Sequence, residues 1–160
     1  MGLKFSDLLN LITGICWSIA YIDLIHRGFS DKTYGMPLFG LAFNIPWEFG
    51  FGFLWGHDAT ISSTIKMYVS RVWFILDVVI AVTYFRYGSK EFPHIPRRLF
   101  LPWSLAPFLV AVTVWYAMAD MFGVDRGIGF VGVMLYTLML AVLFNSMLVS
   151  SPTLRLLFKR

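Results

Sequence analysis

Two carboxylates, Glu48 and Asp77, lie inside long apolar stretches of this sequence. Glu48 belongs to YGMPLFGLAFNIPWEFGFGF, residues 34–53, and Asp77 belongs to WFILDVVIAV, residues 73–82. A charged acid in a membrane costs about 3 kcal/mol or more, so it normally faces a protein interior and serves a function. We expect a buried Glu48 to be protonated at neutral pH, because burial disfavours the charged form, and therefore to act as a proton donor.

The two acids are predicted to lie at one depth. At 1.5 Å per helical residue, Glu48 is about 10 Å from the end of its apolar segment at Trp55. Asp77 is about 8 Å from the start of the next segment at Val72, on the same side of the membrane. Asn44 lies one helical turn before Glu48, so either Asn44 or Asp77 is expected to orient the Glu48 proton by a hydrogen bond.

Aromatic and apolar side chains share the helical faces of these acids. Spacings of three and four residues, which place side chains on one helix face, occur in three segments: Leu41, Asn44, Glu48, Phe51 and Trp55; Trp73, Asp77, Ile80 and Tyr84; and Trp17 and Tyr21. Tyr136 in the last segment is predicted at the same depth, about 10 Å from the segment end. The pattern predicts an apolar chamber walled by aromatic rings, with both carboxyls in its extracytoplasmic half.

Composition indicates the elements that must position these residues. The chain has 160 residues, of which 58% are hydrophobic and 14% charged, and its mean hydropathy is +0.72. These values are typical of a polytopic membrane protein. Since a spanning helix needs about 20 apolar residues, we predict an all-α transmembrane bundle, a single domain over 1–160, with spans at 8–25, 36–55, 72–87, 103–122 and 129–150. The first is interpreted as a spanning helix and not as a removed signal peptide.

The basic residues predict the orientation. Nine fall on one side of the predicted spans: Arg27, Lys32, Arg86, Lys90, Arg97, Arg98, Arg155, Lys159 and Arg160. Four fall on the other: Lys4, Lys66, Arg71 and Arg126. The positive-inside rule places the larger set, with the C-terminus, in the cytoplasm and the N-terminus outside it. Because the basic residues lie in short loops and form no patch, nucleic acid is not an expected partner.

The sequence does not indicate a metal site or a cofactor. His26, His57 and His94 lie in separate loops, and the single cysteine, Cys16, lies in an apolar run. None of them has the spacing of metal ligands, and there is no glycine loop that would cradle phosphate. We therefore expect the chemistry to depend on the two carboxyls.

Two stretches of the sequence resemble a known family. WSIAYIDLIHRGFSDKTYGMPLFGLAFNIPWEF, residues 17–49, and WFILDVVIAVTYFRYG, residues 73–88, are similar to the integral-membrane terpene cyclases of fungal meroterpenoid and indole-diterpene biosynthesis, the pyripyropene-cyclase family, which has bacterial relatives. The matching residues are Trp17, Ala20 and Tyr21; Tyr34, Gly35, Met36 and Pro37; Asn44, Trp47 and Glu48; and Trp73, Asp77 and Gly88. The match covers the first three segments, and the last two fit as apolar segments of suitable length.

The resemblance implies a terpene cyclase that protonates a terminal epoxide or alkene of a prenyl chain, without a metal. The functional glutamate in the second helix of the family maps onto Glu48. Members usually have more helices than the five segments seen here, and they use an aspartate late in the chain that has no equivalent in this sequence. Either the sequence is truncated, or the chain is a short five-helix version with altered or lost activity. It would act on a lipophilic prenylated substrate in the endoplasmic reticulum of a fungus or the plasma membrane of a bacterium.

Taken together, the residues give a catalytic pair and a set of substrate contacts. Glu48 is predicted to be the general acid and Asp77 its partner or the second carboxylate. The predicted substrate-binding residues are Trp17, Tyr21, Leu41, Asn44, Trp47, Phe51, Trp73, Tyr84 and Tyr136. Oligomeric state is left open.

Other interpretations of the same residues remain. The Glu48–Asn44 pair would also serve as interhelical hydrogen bonding, and Asp77 would also serve as a structural partner of a tyrosine or of loop backbone. Trp55 and Trp103 fit an interfacial aromatic belt. At the level of the whole protein, the alternatives are a small proton-coupled transporter, although no inverted repeat is visible, and a non-catalytic membrane partner of a larger cyclase.

Overall fold

The computed structural model describes residues 5–55 and 61–150, and every regular element in these ranges is helical. The α-helices are α1 (Phe5–Ser30), α2 (Leu38–Phe49), α3 (Ile61–Tyr87), α4 (Arg97–Phe122) and α5 (Val133–Ser150). A π-helical segment, Gly50–Leu54, follows α2, and a second one, Val124–Gly132, precedes α5. A 3₁₀ turn, Gly88–Lys90, follows α3. The all-helical fold class predicted from the sequence is confirmed.

The helices begin and end where local chemistry requires it. Pro96 is the N-cap of α4, and proline is well suited to a helix start because its φ is fixed and its nitrogen has no hydrogen to satisfy. Gly123 ends α4 with a φ of +78°, a conformation that glycine adopts without strain. Its amide donates to the carbonyl of Ala119 at 2.9 Å, which closes the last turn.

The observed helices are longer at some ends than the predicted spans. α3 begins at Ile61 instead of residue 72, and α4 begins at Arg97 instead of residue 103. Polar residues such as Ser63, Thr64 and Lys66 lower the hydropathy of the early part of α3 without disfavouring a helix. In α3 and α4, hydropathy therefore located the apolar part of the helix and missed its polar beginning.

Contacts divide the chain into two compact units. The first holds the residues up to Gly35 together with Glu48–Pro93, and the second holds Met36–Trp47 together with the residues from His94 onward. α2 contributes to both, since Glu48 and Phe49 belong to the first unit and the preceding residues to the second. The predicted single domain over 1–160 stays a prediction.

In the first unit, α1 packs along α3 through small residues. A Cβ added to Gly28 would lie 2.9 Å from Cγ2 of Thr83, so the two helices approach closely there. The π segment Gly50–Leu54 also packs on α3, where Gly52 faces Arg71. A larger residue at Gly28 would require Thr83 or the helices to shift, whereas at Gly52 the Arg71 side chain would have to move by only a few tenths of an ångström.

In the second unit, α4 packs against the early part of α2. Trp115 donates its indole N–H to the carbonyl of Phe43 at 2.7 Å, and the two rings meet edge to face at 5.8 Å. Tyr136 on α5 donates to the carbonyl of Gly40 at 3.3 Å. A groove of about 210 Å³ on this unit is lined by Phe39, Trp103, Ala106, Pro107 and Val110.

One helix in the described part of the chain, Arg97–Phe122, is long and apolar enough to cross a membrane, judged by length and composition. Two shorter apolar helices run over Leu38–Leu54 and Val133–Val149. Spanning by all five predicted segments therefore stays a prediction.

Candidate functional site

Glu48 is completely buried near the end of α2 and is engaged by a tyrosine of α1. The Tyr21 hydroxyl donates to Glu48 Oε1 at 3.0 Å across 27 residues of sequence. Tyr21 itself is only 2% exposed, and Oε2 of Glu48 is also buried. The burial predicted for Glu48 is confirmed, and one carboxyl oxygen has a defined hydrogen-bond donor.

Aromatic rings fix the position of Tyr21. Its ring meets Trp73 edge to face at 6.2 Å and lies 5.9 Å from Trp17, one turn earlier on α1. The Trp73 indole N–H donates to Ser18 Oγ at 3.0 Å, and the Ser18 hydroxyl donates to the Gly14 carbonyl at 2.8 Å. These hydrogen bonds tie the Trp73 side chain of α3 to the helix that carries Tyr21.

Asp77 lies one turn after Trp73 on α3 and is completely buried. Ile80 and Tyr84 on the same face are completely buried as well, whereas Trp73 is half-buried. The face predicted from spacing in this segment therefore points inward. The role predicted for Asp77 as second carboxylate stays a prediction.

Tyr84 belongs to an aromatic cluster at the far end of α3. Its ring meets Tyr34 at 5.2 Å and Phe92 at 6.4 Å, both edge to face. Burial raises the pKa of the Tyr34 hydroxyl above its usual value of 10.0, and the neighbouring Tyr84 and Glu91 raise it further. Tyr84 therefore packs against aromatic side chains of the loops, and its predicted role as a substrate contact stays a prediction.

The π-helical turn that follows Glu48 is stabilised by contacts of two residues, Trp55 and Arg71. Trp55 donates its backbone N–H to the carbonyl of Gly50 at 2.8 Å, and its indole covers Gly50 so closely that a Cβ there would be 2.3 Å away. Arg71 donates its Nε–H to the carbonyl of Gly52 at 2.8 Å. Phe51, a predicted substrate contact, meets the Trp55 ring at 4.7 Å and is half-buried.

The remaining predicted contacts lie in the second unit. Leu41 is completely buried and Asn44 is 6% exposed, whereas Trp47 and Tyr136 are half-buried. The groove on this unit does not include any predicted site residue. The aromatic chamber expected from the sequence stays a prediction.

The structure supplies partners that sequence reasoning missed. Asn44 and Asp77 as partners of Glu48 stay predictions, and Tyr21 is a donor to Glu48 that the sequence did not assign to it. Periodicity placed Tyr21 with Trp17 on one face but could not tell which acid that face meets. Ser18, which accepts from Trp73, and Arg71, which donates to Gly52, gave no signal in the sequence beyond their polarity.

Within residues 5–55 and 61–150, no group of three or more His, Cys, Asp or Glu side chains could hold a metal ion. His57 and Asp58 lie outside these ranges. In the described site, the polar chemistry near Tyr21 is that of a carboxyl, a phenol and an indole. Such a set can hold, donate and accept a proton.

This chain belongs to the family of Pyr4-like transmembrane terpene cyclases, whose family model matches residues 3–153. The resemblance seen in the sequence is thereby confirmed, and so is the association with a membrane that the family implies. No solved structure matches the chain.

Several curated fungal proteins are similar to the chain over part of their length. It is 39% identical to the Pyr4-family terpene cyclase mfmH of Annulohypoxylon moriforme over 95 residues, which is 59% of this chain and 37% of that protein. It is 30% identical to terpene cyclase pyr4 of Aspergillus fumigatus over 124 residues, 76% of this chain and 49% of that protein. It is 30% identical over 124 residues to asnovolin H synthase nvfL of Aspergillus novofumigatus, 78% of this chain and 48% of that protein. The chain thus spans between about a third and a half of the length of these relatives.

Proposed function

We propose that this protein is a membrane-embedded terpene cyclase that starts cyclisation by transferring a proton from Glu48 to a bound prenyl chain. The observation that carries the proposal is the complete burial of Glu48 in a chain whose family consists of terpene cyclases. A carboxyl removed from water favours its neutral form, and a neutral carboxyl is the acid that the reaction needs.

The proposed reaction is an isomerisation. The O–H bond of the Glu48 carboxyl breaks, and the proton forms an O–H bond with a terminal epoxide or a C–H bond with a terminal alkene. In the epoxide, the C–O bond breaks and its electron pair goes to oxygen, leaving a cationic carbon. The π electrons of the next alkene close a ring and pass the charge along the chain. The last cation loses a proton to water and forms an alkene, and the hydronium ion formed in this step returns a proton to the Glu48 carboxylate before the next turnover.

The aromatic side chains near Glu48 would serve the cationic intermediates. A cation over an aromatic face is stabilised by about 0.5–2 kcal/mol, and the ring does not react with it as water would. The rings of Trp17 and Trp73 lie 5.9 Å and 6.2 Å from the ring of Tyr21, the donor to Glu48, and these two rings are proposed for that role. Exclusion of water also protects the cation from being quenched. We propose Asp77 as the second carboxylate of this site, on the basis of its complete burial on the face that carries Trp73.

The remaining predicted side chains are proposed as contacts for the lipophilic prenylated substrate: Leu41, Asn44, Trp47, Phe51, Tyr84 and Tyr136. Names of the similar proteins support a terpenoid or meroterpenoid product class, since one is an asnovolin H synthase and others are terpene cyclases. Neither a metal nor a cofactor takes part in the proposed step.

We further propose that all five predicted segments span the bilayer. Large apolar side chains are exposed on α1, α3 and α5 as well as on α4; examples are Ile19 at 62%, Ile75 at 61%, Leu138 at 64% and Leu109 at 70%. Extensive exposed apolar surface is typical of a face covered by lipid. The nine basic residues would face the cytoplasm, in the endoplasmic reticulum of a fungus or the plasma membrane of a bacterium.

Product analysis with membranes that contain the full-length protein tests the proposed function. The substrate is a farnesyl-type epoxide attached to an aromatic or pyrone ring. We expect an isomer of equal mass that has lost the epoxide, and we expect no such product from Glu48→Gln. Glu91→Gln is the matched control, because it makes the same side-chain substitution at an exposed position after α3. The activity of Glu91→Gln should equal that of the wild type.

Two results would contradict the proposal. Conversion that is unchanged in Glu48→Gln would remove Glu48 from the role of acid. Proton flux into liposomes that depends on Glu48, with no cyclised product from wild-type membranes, would indicate a proton-coupled transporter instead.

A further inference from the structure

We propose that Tyr21 is a positioning residue that holds the Glu48 carboxyl so that Oε2 carries the proton to be transferred. This inference rests on the proposed function of Glu48 as an acid. The residue spacing alone predicted Tyr21 as a substrate contact. In this proposal Tyr21 acts through Glu48 instead.

The hydrogen bond defines which oxygen is occupied. Tyr21 donates to Oε1 at 3.0 Å, so in the neutral carboxyl Oε1 is the carbonyl oxygen that accepts. The acid proton then belongs on Oε2, which is buried. A carboxyl without such a donor would exchange the two oxygens by rotating about its last side-chain bond, because this torsion is broad and roughly two-fold.

The same hydrogen bond becomes stronger as the proton leaves. When Oε2 loses its proton, Glu48 becomes a carboxylate, and hydrogen bonds to charged acceptors are about twice as strong as those between neutral groups. Tyr21 therefore stabilises the state formed during proton transfer more than the state before it. An interaction that grows toward the transition state raises kcat and leaves KM nearly unchanged.

The surroundings of Tyr21 restrict its movement. Its ring lies between Trp17 and Trp73, and Trp73 is itself hydrogen bonded to Ser18 at 3.0 Å. All three of these neighbours lie on α1 or α3, so the Tyr21 ring is fixed by the packing of these two helices. A donor fixed before the reaction costs no reorganisation during it.

Tyr21→Phe tests the inference, since it removes the hydroxyl and keeps the ring. We expect kcat of cyclisation to fall about ten- to a hundredfold, as for loss of a hydrogen bond to a charged group, while KM changes less than about twofold. Tyr116→Phe is the matched control, because Tyr116 on α4 is 77% exposed.

Infrared difference spectroscopy of wild type against Glu48→Gln gives a readout that does not require turnover. A hydrogen bond accepted by a carbonyl oxygen weakens its C=O bond. The C=O stretching band of protonated Glu48 should therefore move to higher frequency in Tyr21→Phe and stay in place in Tyr116→Phe.

The two readouts separate failure of this inference from failure of the proposed function. An unmoved Glu48 band in Tyr21→Phe would overturn the positioning role even if the protein cyclises its substrate. A rise in KM with unchanged kcat would also overturn it, since Tyr21 would then bind substrate. If the band moves and no membrane preparation yields product, Tyr21 still positions Glu48 and the proposed function is wrong.

Discussion

The close packing of α1 on α3 yields a prediction with a built-in control. Gly14, Tyr21 and Gly28 are spaced by seven residues, about two helical turns, so they lie near one face of α1. A Cβ added to Gly28 would lie 2.9 Å from Cγ2 and 3.1 Å from Cβ of Thr83. A Cβ added to Gly14 would lie 3.9 Å from Cζ2 of Trp73, which is ordinary van der Waals contact.

The magnitudes follow from two opposing effects. Replacing a helical glycine by alanine stabilises a helix by about 0.5–1 kcal/mol, because less backbone entropy is lost on folding. Overpacking costs about 1–3 kcal/mol, and the β-branched side chain of Thr83, which is completely buried, cannot easily rotate away. Gly14→Ala should therefore raise the free energy of unfolding by about 0.5–1 kcal/mol, and Gly28→Ala should lower it by about 1 kcal/mol.

Unfolding of the purified protein in detergent, followed by circular dichroism, measures the difference. One kcal/mol corresponds to about 2–4 °C in Tm for a chain of this size, so the two variants should melt several degrees apart. Thr83→Ala should partly restore Gly28→Ala, with a coupling energy of about 1 kcal/mol. Equal Tm values for the two alanine variants would refute the close approach of α1 and α3 at Gly28, and with it the packing that fixes Tyr21.

Two further predictions concern Tyr34, whose ring contacts Tyr84 of α3, and Arg71 within α3. Burial raises the pKa of Tyr34 above 10.0 in the folded protein, and Tyr84 and Glu91 raise it further, so stability that is present below pH 10.0 is lost as the pH rises further. Tyr34→Phe should therefore reduce the fall in Tm at alkaline pH. An equal fall in Tm in both proteins would contradict the burial of the phenol. Arg71→Met should lower the free energy of unfolding by about 1 kcal/mol, because the carbonyl of Gly52 loses its donor. Amide hydrogen exchange in the segment Gly50–Leu54 should become faster. Unchanged exchange there would show that Arg71 does not stabilise this segment.

Residue spacing was sufficient to find the buried face of α3. Asp77, Ile80 and Tyr84 recur at three- and four-residue intervals, and all three are completely buried. The helical fold class followed from composition for a similar reason, since a chain this apolar satisfies its backbone within a membrane only as helices or a closed barrel. Periodicity and hydropathy are local signals, and they succeeded where the structure depends on local order.

Features set by helix packing were beyond these signals. The bond from Tyr21 to Glu48 joins residues 27 apart, and it depends on how α1 is rotated and shifted against its neighbours. The π segment Gly50–Leu54 depends on Trp55 covering Gly50 and on Arg71 reaching Gly52, which are tertiary contacts. Asn44 was an expected partner of Glu48 because it lies one turn away in the same helix, and spacing of that kind gives no information about a donor on another helix.

The protonation state of Glu48 tests the central claim most directly. Infrared difference spectra of wild type against Glu48→Gln, recorded in membranes at neutral pH, report the carboxylic acid band of this one side chain. The account predicts that this band is present before substrate is added and is lost transiently as substrate cyclises in a single turnover. Carboxylate bands at neutral pH, with no carboxylic acid band for Glu48, would contradict the account.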